Sequence, residues 1–315
     1  MDRKDNKWVF IFLGPAVLFL LTFKIFPMLY AFVMSLERYE LKSLGFIGFK
    51  NYAAVLKDPS FWQSLGNTVW YVAISVPCTI AFSLFLAELL NNKIKGQDFF
   101  RVTYFLPYIT SLVAVAAIWK IFYNPGDTGL FNYIIRSFGG TNAKWLEEPR
   151  GIFQLLLDPK GRVLRGFFGG PSLALFSIML MTSWKIAGYQ VVILLAGLKN
   201  IPAELYEAAR IDGAPRIKQF FNITMPLLSP SLYFLVTTSI IFSFQLFGPI
   251  YIMTGYESGG APAGTTLVTA YYMYKKAFRD MELGYAAAMA FVMFLIILVI
   301  TVVQRKYSEK KVVYQ

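Results

Sequence analysis

Residues 282–303 read ELGYAAAMAFVMFLIILVITVV, and the part from Phe291 to Val303 carries no charge. A helix needs about 20 predominantly apolar residues to cross a bilayer, so this run is long enough to span one. The whole sequence has the same character, since 57% of its 315 residues are hydrophobic and only 15% are charged. Soluble domains are about 45–50% apolar and about 25% charged. The composition therefore predicts an integral membrane protein and excludes a soluble enzyme, a disordered chain and a collagen-like fibre.

Five further runs of this kind precede it, and together they predict six transmembrane helices. The predicted spans are residues 8–35, 66–90, 102–122, 172–198, 227–250 and 282–303. Several runs contain proline, among them Pro15, Pro77 and Pro107, which membrane helices tolerate. The predicted fold class is therefore all-α with six spans, an arrangement that places both termini on one side of the membrane.

The basic residues indicate which side that is. The termini and the two loops on their side hold 14 Lys and Arg in 57 residues, against 13 in the 108 residues of the opposite loops. Lys and Arg are enriched in cytoplasmic segments, so both termini are predicted to be cytoplasmic. The same rule accounts for the net charge of +12 without a nucleic-acid partner.

On this topology the chain divides into three regions. Residues 1–65 hold the first span and an external amphipathic segment that is broken at Asp58–Pro59. Residues 66–304 form a core of five spans, with an external loop at 123–170 and a cytoplasmic loop at 199–226. Residues 305–315 are a cytoplasmic tail.

The residue composition excludes most kinds of catalytic site in this chain. It has no histidine and a single cysteine, Cys78, so His-based acid–base chemistry and cysteine zinc cages are absent. The pattern G-x-x-x-x-G-K-[ST], which cradles nucleotide phosphates, does not occur. We therefore expect no catalytic residue, metal or cofactor in this chain, and any energy source must be another chain or an ion gradient.

The cytoplasmic loop 199–226 has the pattern of two short helices joined by a glycine. Pro202 suits the start of the first helix and Gly213 its end. Ala208 and Ala209 leave one face without bulk, and charged residues lie beside it. Those features indicate a docking element for another protein. The alternative is a helix that only lies on the membrane, held by a modest apolar stripe.

Polar and aromatic side chains inside the spans are candidates for a substrate pathway. Lys185 and Tyr189 are four residues apart in the fourth span, so they share a helical face. A lysine at that depth is expected to face a polar cavity or a partner carboxylate. The fifth span adds a cluster that suits sugar, with aromatic faces for C–H groups and amide or hydroxyl groups for hydroxyls: Ser239, Phe242, Ser243, Gln245 and Leu246. Ordinary helix packing is the alternative reading of these residues.

The cytoplasmic loop closely resembles the EAA loop of binding-protein-dependent ABC importer permeases. The residues that carry the resemblance are Glu207-Ala208-Ala209, Asp212-Gly213-Ala214, Phe220, Ile223, Pro226 and Pro230. Met225 departs from the usual Leu before the proline, a swap that conserves volume. Further matches place the chain near the carbohydrate-uptake branch, similar to maltose-type permeases: Gly14-Pro15, Asn51-Tyr52, Asn67-Thr68, Leu106-Pro107, Asn124-Pro125 and Ala196-Gly197-Leu198.

The resemblance implies a fold, a set of partners and a mechanism. The fold would be the type I ABC importer permease fold in the bacterial inner membrane. The partners would be a second homologous permease subunit, two ATPase subunits that bind ATP and Mg, and an external solute-binding protein that delivers a sugar or oligosaccharide. The EAA residues Glu207, Ala208, Ala209, Asp212, Gly213 and Ala214 would couple this chain to the ATPase. Alignment from that loop places Tyr189, Ser239, Phe242 and Ser243 at sugar-contacting positions.

Other functions stay open at this point. An ABC permease for glycerol phosphate or a polyol would have the same loop. An ion-coupled secondary transporter would require carboxylates inside the spans and an internal repeat, whereas only Glu88 lies near a span. A membrane-embedded transferase would require paired carboxylates, for which Glu147–Glu148 is the candidate.

Overall fold

The computed structural model describes residues 5–91, 96–160, 163, 166–254, 260 and 262–308. The chain is mostly helical, as predicted, with one small antiparallel hairpin that the sequence did not indicate. The hairpin joins β1 (Glu37–Tyr39) to β2 (Ser43–Phe46) and directly follows the first apolar run. The predicted tail extends to residue 315, and its part beyond residue 308 lies outside the described residues.

Eight α-helices and one π-helical turn precede the fourth apolar run in the described residues. They are α1 (Asp5–Leu20), a π-helical turn (Leu21–Ile25), α2 (Phe26–Ser35), α3 (Lys50–Lys57), α4 (Pro59–Asn91), α5 (Gln97–Ile109), α6 (Leu112–Phe122), α7 (Leu130–Ser137) and α8 (Ile152–Leu157). The predicted break at Asp58–Pro59 is confirmed, because α3 ends and α4 begins there.

The second half of the chain contains a long helix, Leu173–Lys199, many of whose residues are buried. Its elements are a 3₁₀ turn (Gly166–Gly169), α9 (Leu173–Lys199), α10 (Ala203–Ile211), α11 (Arg216–Gln219), a second π-helical turn (Phe220–Thr224), α12 (Met225–Leu227), α13 (Ser229–Phe244), α14 (Gly248–Thr254), α15 (Thr269–Phe278) and α16 (Leu283–Ser308).

Among the described residues, four helical segments are candidates for crossing a membrane, or six if each of two bent pairs counts as one span. Four continuous helical segments are long and apolar enough to cross a bilayer: Ile11–Ser35, Pro59–Asn91, Leu173–Lys199 and Leu283–Lys306. Two further segments pass the same test only as bent pairs. Val102–Ile109 and Leu112–Phe122 meet at 106°, and Arg216–Leu227 and Ser229–Phe244 meet at 66°. The third and fifth predicted spans are therefore not single straight helices.

The bend in the third segment has a local cause. Thr110 and Ser111 both have extended ψ angles, 144° and 133°, so the helical hydrogen-bond ladder stops at Ile109 and restarts at Leu112. Hydropathy does not register this break, because apolar residues continue on both sides of it. The fifth segment differs from its prediction at the other end as well, since α13 ends at Phe244 rather than continuing to Ile250.

Both π-helical turns lie directly before a proline. The turn at Leu21–Ile25 precedes Pro27, and the turn at Phe220–Thr224 precedes Pro226. A proline ring clashes with the carbonyl four residues earlier and cannot donate to it. A widened turn moves that carbonyl away, so each helix continues past its proline.

By contacts the chain divides into two compact units, residues 1–61 with 272–296 and residues 62–271 with 297–315. In the smaller unit the amide of Asn51 donates to the carbonyls of Ser35 and Glu37, at 2.9 Å each, and so fixes the turn after α2. The Asp58 carboxylate accepts hydrogen bonds from the Tyr272 and Tyr285 hydroxyls. Burial acts to raise the pKa of Asp58, but the hydrogen bonds outweigh it and hold that pKa below its usual value.

The larger unit has its apolar core between α4, α9 and the region of α13. The buried residues of this core are Val76, Ile80, Ala87, Leu90, Val191, Leu194, Leu195, Leu198, Ile201, Leu228 and Leu235. Helix α5 approaches α9 at Gly188, which has no side chain to separate the two backbones. A Cβ atom at that position would clash with the Tyr104 carbonyl oxygen, so the two backbones would have to move apart.

The loop 123–170 has a packed centre of its own in the part that the structure describes. Asn132 is fully buried, and its amide donates to the carbonyls of Asn124, Pro125 and Ala143. Its side-chain oxygen accepts from the Ala143 amide and the Trp145 indole. One polar side chain thus holds together three stretches of the loop, in line with the mixed charges and glycines of its sequence.

We expect Gly188→Ala to destabilise the protein by about 1–3 kcal/mol, because the new methyl group forces α5 and α9 apart. The measurement is the thermal unfolding midpoint of the detergent-purified chain. Gly14→Ala is the matched control, since a Cβ atom there meets nothing within 4 Å. An unchanged midpoint for Gly188→Ala would mean that the close approach of α5 and α9 is not rigid.

Candidate functional site

A cavity of about 360 Å³ lies within the larger unit, between α4, α5, α9 and α13. Five of the residues singled out in the sequence line it together: Tyr189, Ser239, Phe242, Ser243 and Leu246. Gln245 and Lys185, also predicted for the pathway, are not among its lining residues. The lining residues that sequence reasoning missed include Tyr71, Tyr108 and Gln190.

Aromatic rings form one wall of this cavity. The rings of Tyr108 and Tyr189 are stacked, with centroids 5.1 Å apart and planes at 21°. Phe242 is 65% exposed although it lies on an apolar helix, so its ring is available to a partner molecule. Ring faces of this kind offer apolar surface, and the tyrosine hydroxyls add hydrogen-bonding capacity at the edge.

The polar side of the cavity is built around Gln190, which is 1% exposed. Its side-chain oxygen accepts from Ser83 at 3.0 Å, and its amide donates to Ser239 at 3.1 Å. Gln190 therefore links α4, α9 and α13 through one carboxamide and fixes the orientation of the Ser239 hydroxyl. A buried carboxamide beside Tyr189 in an apolar run was the sequence signal that could have identified it.

The contacts of Lys185 differ from both expectations for it. Its ammonium donates to the carbonyl oxygens of Pro107, Tyr108 and Thr110 at 2.9, 2.9 and 2.7 Å. These carbonyls belong to the last turn of α5 and to the bend that follows it. All three ammonium hydrogens thus have acceptors within this chain, so no carboxylate partner is needed to satisfy them.

The loop 199–226 folds as predicted into two short helices joined at a glycine, α10 and α11. Pro202 caps α10 rather than occupying its first turn. At the other end the Gly213 amide donates to the Arg210 carbonyl and the Ala214 amide to the Ala209 carbonyl. This pair of bonds is a Schellman motif, which requires a left-handed residue, and Gly213 has φ of +73°.

Most of helix α10 projects from the core. None of its residues is buried, and Glu207 and Arg210 form an exposed ion pair at 4.0 Å. Ile201, which begins the apolar stripe of the alternative reading, is instead 8% exposed and packs in the core. Leu205 and Ala208 of that stripe are exposed, and so is Ile211 at the end of α10.

One contact ties α10 to the membrane helices. The Tyr206 hydroxyl shares a hydrogen bond of 2.8 Å with Thr224, at the end of the π-helical turn before α13. Burial raises the pKa of this hydroxyl above its ordinary value, which keeps it protonated at neutral pH. An open groove lies alongside, bordered by Tyr206, Arg210, Arg216 and Phe220.

The fold thus combines apolar helices of membrane-spanning length, a cavity between four of its helices and an exposed helical loop. Residues 79–313 match the family described as "Binding-protein-dependent transport system inner membrane component". The chain belongs to this family. It is therefore a transport permease of the inner membrane, and it is not an enzyme.

Relatives over almost the full chain agree with this assignment. The chain is 35% identical to the probable ABC transporter permease protein YesP of Bacillus subtilis, covering 99% of this chain and 94% of the relative. It is 33% identical to the arabinooligosaccharides transport system permease protein AraP of Bacillus subtilis, with coverage of 95% and 88%. It is 34% identical to the lactose transport system permease protein LacF of Rhizobium radiobacter, with coverage of 95% and 92%.

The fold also matches a solved structure. A chain of a bacterial ABC transporter involved in the import of alginate superimposes with a TM-score of 0.77 at 22% identity, covering 98% of this chain and 96% of the other. The same fit is found to that transporter in complex with its periplasmic protein bound to an alginate pentasaccharide. The bent helix pairs reported above thus lie within a fold that is known from an ABC importer.

Tyr206→Phe should loosen α10 without removing its packing, because only the hydrogen bond to Thr224 is lost. We expect amide hydrogen exchange in residues 203–211 to accelerate by up to about tenfold, the equivalent of one hydrogen bond of about 1 kcal/mol. Tyr233→Phe is the control, since the Tyr233 hydroxyl has no hydrogen bond among the described residues. Equal exchange in both variants would show that Tyr206 does not hold α10.

Proposed function

We propose that this chain is the permease subunit of an ATP-driven importer for a sugar or oligosaccharide. The observation that carries the proposal is the cavity between α4, α5, α9 and α13, whose lining combines aromatic rings with hydroxyl-bearing side chains. A sugar presents C–H faces and hydroxyls, and this lining complements both. The names of AraP and LacF, which specify arabinooligosaccharides and lactose, support the same substrate class.

The proposed topology counts each bent pair as one span, which gives six spans and two cytoplasmic termini. The higher density of Lys and Arg in the segments on that side supports this orientation. The working assembly would contain a second homologous permease, two ATPase subunits that bind ATP and Mg, and an external solute-binding protein. The periplasmic protein in the alginate importer supports the last of these partners.

The coupling surface to the ATPase is proposed to be α10 with the turn after it. Ala208 and Ala209 permit close approach of a partner, and Glu207 and Asp212 provide charge beside them. The Schellman motif fixes where the chain reverses after α10. The exposure of α10, together with its bond to Thr224, supports a role in passing motion to the membrane helices.

Replacing Tyr189 or Phe242 by Ala should impair transport, since each removes an aromatic face worth about 1 kcal/mol or more. The assay is uptake of arabinotriose, lactose, maltose and glycerol 3-phosphate by proteoliposomes of the full complex with its binding protein. Phe234→Ala is the control, because Phe234 is exposed on the same helix but does not line the cavity. Uptake of glycerol 3-phosphate alone would contradict the sugar proposal. Unchanged sugar uptake in both variants would show that Tyr189 and Phe242 are packing residues.

Gly213→Val should uncouple the permease from the ATPase, because a β-branched residue resists the positive φ at this position. No atom lies within 4 Å of a Cβ atom placed there, so the backbone conformation alone opposes the substitution. Gly213→Asn is the matched control, since Asn tolerates left-handed geometry. The measurements are co-purification of the ATPase and its hydrolysis rate when stimulated by the loaded binding protein. Wild-type values for Gly213→Val would leave the loop as a passive connection.

A further inference from the structure

The bend between α5 and α6 poses a problem for the backbone. The last four carbonyls of a helix have no partners within it, and in apolar surroundings an unsatisfied carbonyl costs several kcal/mol. The Leu106 carbonyl is satisfied by Thr110, whose amide and hydroxyl both donate to it. The carbonyls of Pro107, Tyr108 and Thr110 require another donor.

Lys185 is that donor, and it comes from a different helix. Its three hydrogen bonds of 2.7–2.9 Å reach all three carbonyls from the middle of α9. The negative end of the α5 dipole also favours a cation at this point. The lysine charge inside an apolar helix is therefore accounted for by the bend that it stabilises.

The same contact fixes a wall of the cavity. Tyr108 is one of the three residues whose carbonyl Lys185 holds, and its ring stacks on Tyr189, one turn further along α9. Two positions on a single face of α9 thus bind Tyr108, one at its backbone and one at its ring. The position of the Tyr108 ring in the cavity depends on both contacts, that of Lys185 with its carbonyl and that of Tyr189 with its ring.

We propose that Lys185 is a positioning residue for transport, which holds the bend after α5 so that the Tyr108 ring forms part of the substrate-binding wall. This inference rests on the proposed function as far as the substrate is a sugar. Lys185 itself does not touch the substrate. Tyr108 does, as a third aromatic face beside Tyr189 and Phe242.

The test compares Lys185→Met with Tyr108→Leu and with the double variant, each in the full complex. Lys120→Met is the matched control, because Lys120 is an exposed lysine at the end of α6, the other half of the same bent pair. Lys185→Arg keeps the positive charge and the hydrogen-bond donors. If the Lys185→Met complex does not assemble, Lys185→Arg is the variant compared with the wild type. The two readouts are hydrogen exchange over residues 106–115 and the KM for uptake of arabinotriose, lactose and maltose.

We expect exchange over residues 106–115 to accelerate about tenfold in Lys185→Met, as for loss of a charge-assisted hydrogen bond. Lys120→Met should leave hydrogen exchange over these residues at the wild-type rate. Lys185→Arg should retain most of the protection from exchange that the wild type shows. The KM should rise by up to about tenfold in Lys185→Met and in Tyr108→Leu. The KM of the double variant should be no higher than that of Tyr108→Leu, because Lys185 acts through the Tyr108 ring.

The inference would be overturned if Lys185→Met exchanged the amide hydrogens of residues 106–115 at the wild-type rate. It would also be overturned if the effects of the two substitutions on the KM added up in the double variant. A Lys185→Arg variant as damaged as Lys185→Met would overturn it as well. A wild-type complex that takes up none of the three saccharides would instead contradict the proposed sugar function. The exchange measurement would still decide whether Lys185 holds the bend, since it needs no substrate.

Discussion

The need to satisfy every backbone amide and carbonyl inside an apolar layer governs the rest of this structure. Continuous helices meet it internally, as α9 and α16 do, and α4 lacks only the bond that Pro77 cannot donate. The helix pair at residues 97–122 does not, because its ladder stops at Ile109. Its free carbonyls are satisfied by side chains instead, from Thr110 within the bend and from Lys185 on α9. A broken helix is stable here because a neighbour completes its hydrogen bonds.

Prolines meet the same constraint in another way. Pro27 and Pro226 each follow a π-helical turn, which accommodates the missing donor without a break in the helix. The consequences differ with position. The first turn lies within an otherwise continuous apolar segment, whereas the second lies between the cytoplasmic loop and the cavity-lining helix α13. Thr224 ends that second turn and receives the contact from Tyr206.

The sequence predicted those features that depend on local pattern. Run length and charge predicted the four continuous apolar segments, and Pro202 and Gly213 predicted the two-helix loop. The resemblance added Tyr189, Ser239, Phe242 and Ser243, which the structure places in one cavity. The bend at Thr110 was missed because hydropathy averages over it. The roles of Gln190 and Tyr108, and the partners of Lys185, depend on contacts between helices far apart in sequence, which one sequence without an alignment does not reveal.

A series of contacts connects the loop 199–226 to the cavity, by way of a helix pair that bends by 66° before α13. Tyr206 on α10 is bonded to Thr224, and α13 starts a few residues later and contributes Ser239 to the cavity. Ser239 is in turn bonded to Gln190 on α9. The contacts of Tyr206 with Thr224 and of Ser239 with Gln190 therefore lie on opposite sides of the bend that precedes α13. The Gln190–Ser239 bond is a polar contact that joins α9 to α13 at the cavity.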